Sequence, residues 1–421
     1  MTLTDAARRN WAGNYTYTAP VLHEATSIDE VQRVVAGAER VRALGTRHSF
    51  TDLPDTEGTL VSVLGIEPDF VLDEAARTVT FGAGTRYGEL ALFLESKGWA
   101  LHNMGSLPHI SVGGAISTGT HGSGNTNGNL ATAVRALTFV SADGSVREVR
   151  HGDADFPGSV VGLGALGVLV RVTLAIEPTY LVRQDVYRGL AWEDLLADVP
   201  AVTGAGYSVS VFTDWAGDRI GQVWVKQRVQ GAEEPVPDEW FGAQRETSGR
   251  AQIIESAEDN TTQLGVAGAW SERLPHFRLD ATPSQGDEIQ TEYFVGASDA
   301  ADALRAVKAL GDRIRPHLLI TELRTIAADT LWLSPAAERD SLAIHFTWRN
   351  TQDAVLEVLP DIEAALKPFG PRPHWGKLHT MTAVDIAPQY PRMDQMLDLI
   401  ARMDPTAKFR SAHLDRVLPA R

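Results

Sequence analysis

Hydrophobic positions along the first 180 residues change period several times, and each change marks an element. Residues 26–38, TSIDEVQRVVAGA, place Ile28, Val31, Val34 and Val35 at helical spacing, with Ser27 at the cap and Glu30 three residues on. VRALG (41–45) predicts a short buried strand stopped by glycine, and RTVTFGAG (77–84) alternates as a strand does. YGELALFLESKG (87–98) returns to helical spacing and ends at Gly98. VRALTFVSADGSVREV (134–149) predicts a hairpin turning at Asp143-Gly144, and VLVRVTLAIEP (168–178) a strand closed by proline. Further on, LLITELRTI (318–326), LAIHFTW (342–348) and HWGKLHT (374–380) alternate like strands. MDQMLDLIARM (393–403) reads as a helix, and DPTAKFRSAHLDRVLP (404–419) as a closing segment.

Between the helix ending at Gly98 and the hairpin from Val134 there is no Asp, Glu, Lys or Arg. The centre of this stretch, NMGSLPHISVGGAISTGTHGSGNTNGN (103–129), predicts an ordered, loop-rich segment whose backbone N–H groups face a ligand. Ser111 to Gly124 suits an anion cradle, because glycine lets the backbone approach closely. No Gly-Lys-Ser/Thr triplet follows, which excludes a triphosphate P-loop, and the length without charge favours a diphosphate. His102, His109 and His121 lie here without a carboxylate partner or an H-x-x-x-H pair, so loop histidines are expected rather than a metal site. Gly162-Leu-Gly164-Ala-Leu-Gly167 matches G-x-G-x-x-G, but an alternating strand follows where a dinucleotide-binding unit needs a helix.

The three C-terminal strand patterns carry the densest chemistry. A period of two puts Ile320, Glu322, Arg324 and Ile326 on one face, His345 and Thr347 on another, and Trp375, Lys377 and His379 on a third. Each alone fits a half-exposed strand. As neighbours they form one wall that grips several hydroxyls and manages a proton, with Arg and Lys donating and Glu accepting.

Composition narrows the classes. The 421 residues carry 38 Lys+Arg against 54 Asp+Glu, a net charge of −16, which argues against a nucleic-acid partner or an anionic membrane. Without cysteine there are no disulfides, thiolate metal sites or Cys nucleophiles. The length suggests two domains, and the texture changes after Tyr180, where most tryptophans lie. The first residues lack the apolar core of a signal peptide and no run is apolar enough to span a bilayer, so a cytoplasmic protein is expected, and it is taken to be a monomer.

The whole chain resembles flavoproteins of the vanillyl-alcohol-oxidase fold, and within them the alditol (xylitol/sorbitol) oxidases. The matching pieces are NWAGNYTYTA (10–19), LGTRHSF (44–50), the uncharged NMGSLPHISVGGAISTGTHGSG, YSVSVFTDW (207–215), TELRTIAADTLWLSP (321–335), AIHFTW, RPHWGK and DPTAKF. The resemblance implies an α+β, two-domain fold of the FAD-binding PCMH type: an FAD domain over 1–180, a substrate-binding cap over 181–377, and a segment 378–421 returning to the FAD domain. It implies FAD held by Leu44, Gly45, Thr46, Arg47, His48, Ser49, Phe50, Ser106, Ser111, Gly114, Thr118, Gly119, Thr120, His121 and Val168. His48 would carry the flavin covalently through its 8α-methyl; Arg47 stands where the commoner pattern has glycine. Ser106, Glu322, Arg324, His345, Thr347 and Lys377 would bind the polyol, with Lys377 and Arg324 catalytic.

The activity implied is oxidation of an alditol's terminal hydroxyl to the aldose, with hydride passing to flavin N5 and dioxygen reduced to hydrogen peroxide. The alternative on the same fold is a sugar-1,4-lactone oxidase or dehydrogenase. Outside it stand a metal-dependent hydrolase using the histidines and a non-catalytic sugar-binding protein.

Overall fold

The computed structural model describes residues 8–230, 235–247, 260–261, 264–281 and 288–420. Near the N-terminus β1 (Val21–Glu24), β2 (Val41–Leu44) and β3 (Thr59–Ser62) form a parallel sheet in the order β1-β3-β2. Helix α1 (Ile28–Gly37) joins β1 to β2, as the spacing predicts, and buries Val31 and Val35. Ser27 Oγ accepts from the Glu30 N–H at 3.3 Å, while the Glu30 carboxylate reaches back to the Thr26 N–H at 2.7 Å.

A second, antiparallel sheet runs β4 (Val71–Asp73), β5 (Thr78–Gly82), β9 (Val168–Ala175), β7 (Val134–Val140), β8 (Val146–Arg150). The hairpin β7–β8 turns at Asp143-Gly144, where Gly144 takes φ +83°. A small ribbon pairs β6 (Trp99–Ala100) with β10 (Glu177–Pro178). Helix α2 (Tyr87–Ser96) precedes β6. The G-x-G-x-x-G run leads directly into β9, a strand, so its glycines do not open a dinucleotide-binding helix. Within the uncharged stretch, where the sequence suggested loops, the chain forms a short α-helix, α3 (Val112–Ser117), and a 3-10 turn at Leu130–Ala133. Helix α3 packs closely because Gly113 has no side chain: a Cβ there would lie 2.8 Å from the Ala83 carbonyl oxygen.

The strands of residues 181–373 build one antiparallel sheet, ten-stranded among the described residues. They are β11 (Leu181–Arg188), β12 (Ser208–Thr213), β13 (Gln222–Val229), β14 (Glu239–Trp240), β15 (Ala243–Arg245), β16 (Gly268–Ala269), β17 (Glu288–Gly296), β18 (Leu318–Ile326), β19 (Ser341–Arg349) and β20 (Arg372–Pro373). Its order is β14-β15-β11-β13-β12-β18-β19-β17-β20, with β16 beside β11. The 318–326 and 342–348 patterns are neighbouring strands, and Glu322 stands opposite His345.

HWGKLHT is not a strand. The ladder with β17 breaks after His374, whose N–H bonds to the Glu292 carbonyl at 3.0 Å, and resumes when the Leu378 N–H reaches the Gln290 carbonyl at 2.9 Å. Between them the chain turns, the Lys377 N–H bonding to the His374 carbonyl and the Gly376 N–H to His374 Nδ1. Trp375, Lys377 and His379 therefore do not share a strand face. Trp375 is buried with its indole N–H on the Leu333 carbonyl at 2.7 Å, and His379 lies beside His413.

The segment after residue 404 lies against the N-terminal elements. The Val41 N–H bonds to the Lys408 carbonyl, and His413 Nδ1 lies 2.8 Å from Asp52 Oδ1. Arg42 locks this corner: its buried guanidinium donates to the carbonyls of Leu53, Leu163, Gly164 and Phe409 at 2.7–2.9 Å. Arg42→Met strands four buried acceptors and is expected to destabilise the fold by about 3 kcal/mol or more. Thermal denaturation checks this, and an unchanged midpoint would refute the locking role.

Candidate active site

A continuous cavity runs from the uncharged loops to the large sheet. Its first end is lined by Leu44 to Phe50, Ser106, Ser111, Gly114, Thr118, Thr120 and His121, and by the Gly162–Gly164 turn. Two other residues expected here do not line it. A Cβ on Gly119 would meet the Pro335 ring at 2.6 Å, and Val168 is buried in β9 opposite Val140, leaving the wall to Gly167 and Leu169.

The 44–50 loop is shaped for a close-fitting occupant. A Cβ on Gly45 would stand 2.8 Å from Ser111 Oγ, which would have to turn away to admit it. Arg47 takes φ +64°, the left-handed region that glycine enters freely, which accounts for glycine in the commoner pattern. Its carbonyl accepts the Trp11 N–H at 2.8 Å, and the Trp11 ring stacks on His48 at 5.2 Å between centroids. His48 Nδ1 is buried without a hydrogen-bond partner, and burial pulls the ring's pKa down to about 4, leaving it neutral near pH 7. The loop is fastened to the opposite wall through the Gly376 carbonyl, which accepts from the Phe50 N–H at 2.8 Å and from Ser49 Oγ at 3.2 Å.

The second end carries Ser106, Glu322, Arg324, His345, Thr347 and Lys377 together. At their centre is a residue the sequence reading missed, Glu292 of β17, only 1% exposed. Its Oε2 accepts from Lys377 Nζ at 2.7 Å and its Oε1 from Arg324 Nη2 at 2.9 Å, with His121 Nε2 3.2 Å away. Burial alone would raise the Glu292 pKa, but Lys377, His121 and Arg324 overcome it and hold the carboxyl well below its ordinary range. Glu322 is held down in the same way, its burial overcome by Arg324 and His276. Burial lowers the Lys377 pKa and Arg324 adds to that, while Glu292 opposes both.

Lys377 Nζ also lies 2.8 Å from His345 Nδ1, and His345 Nε2 lies 3.1 Å from Thr347 Oγ1. Burial and then Lys377 keep His345 neutral. With Nδ1 accepting from lysine, its proton sits on Nε2 and goes to Thr347, freeing the threonine O–H to donate elsewhere. Arg324 Nη1 donates to Ser106 Oγ at 3.3 Å. The wall thus offers several donors and, beside Glu292 with its oxygens already engaged, the ionised acceptor Glu322. His276 and His374 also line the cavity and were not anticipated. The alternation in EIQTEYFVG, which sets Glu288, Gln290 and Glu292 on one face, was the available signal for Glu292.

His102, His109 and His121 go separate ways. His109 Nε2 bonds to the Leu279 carbonyl and His121 Nδ1 to the Gly122 carbonyl; among the described residues no group of three metal-binding side chains occurs.

Residues 19–150 match an FAD binding domain family and residues 277–417 a D-arabinono-1,4-lactone oxidase family. Alditol oxidase from Streptomyces sp. is 43% identical over 97% of this chain and 98% of its own. The chain belongs to this family of FAD-dependent oxidoreductases. Other relatives are more distant: L-gulono-1,4-lactone dehydrogenase from Mycobacterium tuberculosis is 28% identical over 97% of this chain and 98% of its own. L-gulonolactone oxidase from Mus musculus is 27% identical over 97% of each. The fold is that of the vanillyl-alcohol-oxidase flavoproteins: cholesterol oxidase from B. sterolicum superposes with a TM-score of 0.77 at 14% identity, covering 98% of this chain and 96% of that one. The cofactor is FAD, and the Gly45 approach and the unpartnered His48 nitrogen fit it.

Glu292→Gln leaves Lys377 and Arg324 buried without their shared counter-charge, and should cost about 3–5 kcal/mol of stability. Because the folded pKa of Glu292 is depressed, its contribution is present above the unfolded carboxylate pKa and fades as pH falls through the folded value. Thermal denaturation should therefore show a gap between variant and parent that is full at pH 7 and narrows on acidification; a gap independent of pH would refute this account.

Proposed function

We propose that the chain oxidises the terminal hydroxyl of alditols such as xylitol and sorbitol to the aldose, and that dioxygen is reduced to hydrogen peroxide. The observation that carries the reading is the wall of Ser106, Glu322, Arg324, Thr347 and Lys377, whose hydroxyl, guanidinium, amine and carboxylate groups suit a neutral, polyhydroxylated chain. The 43% identity to alditol oxidase favours it over the lactone-oxidising relatives at 27–28%. A division into an FAD domain over 1–180, a cap over 181–377 and a returning segment 378–421 is part of the same reading.

FAD, when bound, supplies the hydride acceptor. The protein's share is proton control and orientation. Once deprotonated, Lys377 keeps its two hydrogens on Glu292 Oε2 and His345 Nδ1, at 2.7 and 2.8 Å, which leaves the nitrogen lone pair for the substrate hydroxyl. On taking the proton Lys377 becomes an ammonium already facing a carboxylate. Arg324 steadies the developing oxygen charge, while Glu322 and Ser106 take neighbouring hydroxyls and set which end of the chain reacts.

We further propose that His48 carries the flavin covalently. Its Nδ1 is buried, unpartnered and neutral on the cavity wall with the Trp11 ring stacked on it, whereas His121 Nε2 lies 3.2 Å from the Glu292 carboxylate. Acid precipitation of the purified protein should leave yellow colour in the pellet, and xylitol should then drive oxygen uptake with peroxide formed. Colour in the supernatant would sink His48 as the anchor while keeping the oxidase; no uptake with any alditol would sink the polyol reading.

Lys377→Ala should lower turnover by about 10²–10⁴-fold while leaving the flavin spectrum intact. In the parent, kcat/KM should rise with pH through a pKa below that of an ordinary lysine, since the base must be deprotonated and burial depresses it. Persistence of that rising limb in Lys377→Ala would assign the proton to another group.

A further inference from the structure

Behind Glu322 lies a buried chain of ionisable side chains that the reaction above does not use. Lys226 of β13, 1% exposed, stands opposite Gln184 of β11 and Ser208 of β12. Its Nζ meets the Leu274 carbonyl, the Pro275 carbonyl at 3.5 Å and His276 Nδ1 at 3.1 Å, three acceptors for the three hydrogens of an ammonium. His276 is walled by Phe212 and Trp224, at 5.9 and 5.0 Å between ring centroids, and its Nε2 lies 2.7 Å from Glu322 Oε1. The backbone N–H of His276 is fixed as well, donating to the Ser106 carbonyl at 3.0 Å.

The tautomer follows from the partners. Nδ1 faces an ammonium and accepts, so the ring proton is on Nε2 and points at Glu322. Burial, then Lys226, takes the His276 pKa down to about 4, so the ring stays neutral. Burial takes Lys226 down to about 7, with Glu322 pulling the other way, so its charge is retained on the acid side of neutrality. Glu322 Oε2, by contrast, meets Arg324 Nε only at 3.6 Å, too long to fix the carboxylate by itself.

We propose that Lys226 and His276 are positioning residues that aim Glu322 into the cavity as an ionised acceptor for a polyol hydroxyl remote from the reacting one. Lys226 does not line the cavity, and His276 acts through the carboxylate it orients. The inference rests on Glu322 binding substrate, and its test separates the two claims.

Steady-state kinetics of the FAD-loaded enzyme with xylitol at pH 6 would compare Lys226→Met, Glu322→Gln and the double variant. Glu322→Gln should raise KM at least tenfold. Lys226→Met should raise KM several-fold with a smaller change in kcat, and should add nothing further when Glu322 is already Gln. His276→Leu should behave like Lys226→Met, and His276→Gln, which keeps a side-chain N–H, should recover part of the loss. Should Lys226→Met fail to hold FAD, the histidine variants carry the same comparison. An unchanged KM in Glu322→Gln would remove the substrate role of Glu322 itself. A raised KM there, with Lys226→Met and His276→Leu silent or multiplying it in full, would overturn the positioning proposal alone.

Discussion

The site depends on one buried carboxylate. Glu292 is enclosed by the sheet, and its two oxygens are claimed by Lys377 and Arg324. Taking a carboxylate out of water is costly unless cations and hydrogen bonds replace the lost solvation, and here two cationic side chains and a histidine do so. The exchange is mutual. Arg324 and Lys377 enter a buried wall because Glu292 is there, and His345 and Thr347 take up their donor and acceptor roles because Lys377 is held in place. Remove the carboxylate and Lys377 and Arg324 share a low-dielectric pocket with only Glu322, 3.6 Å from Arg324, to offset them.

How much of this was legible follows from how local each signal is. Period-two alternation found Glu322, Arg324, His345 and Thr347 because strand geometry assigns faces residue by residue, and β18 and β19 are neighbours in the sheet. The same alternation singled out Lys377, but on the wrong scaffold. Its segment breaks from the ladder at His374, and only the turn that follows brings the amine to Glu292. Glu292 shares a face with Gln290 and Glu288 in EIQTEYFVG, a pattern as plain as the others. A strand bearing two glutamates reads most simply as a solvated face, and nothing local says that its centre is enclosed.

Lys226 and His276 are hidden for a different reason. They are fifty residues apart, on a strand and a loop, and meet only through the order of strands in the large sheet. At the other end, absence of charge from Gly98 to Val134 was the useful signal, since a segment with no charged side chains in an acidic chain must be shaped for something other than solvent. Which of its residues line the cavity was beyond that signal, and Gly119 falls outside the wall.

The carbonyl of Gly376 ties the 44–50 loop to the turn that carries Lys377. The two ends of the cavity are thus parts of one mechanical unit, contributed by segments more than 300 residues apart in sequence. The residues on β18 and β19 are held by sheet register. Among them Thr347, which meets the network only through His345, is the position where adaptation to polyols of other lengths disturbs least. Lys377 offers no such freedom: moving it pulls on the loop around His48, so across descendants of this scaffold the proton acceptor and the flavin cradle are expected to change together or not at all.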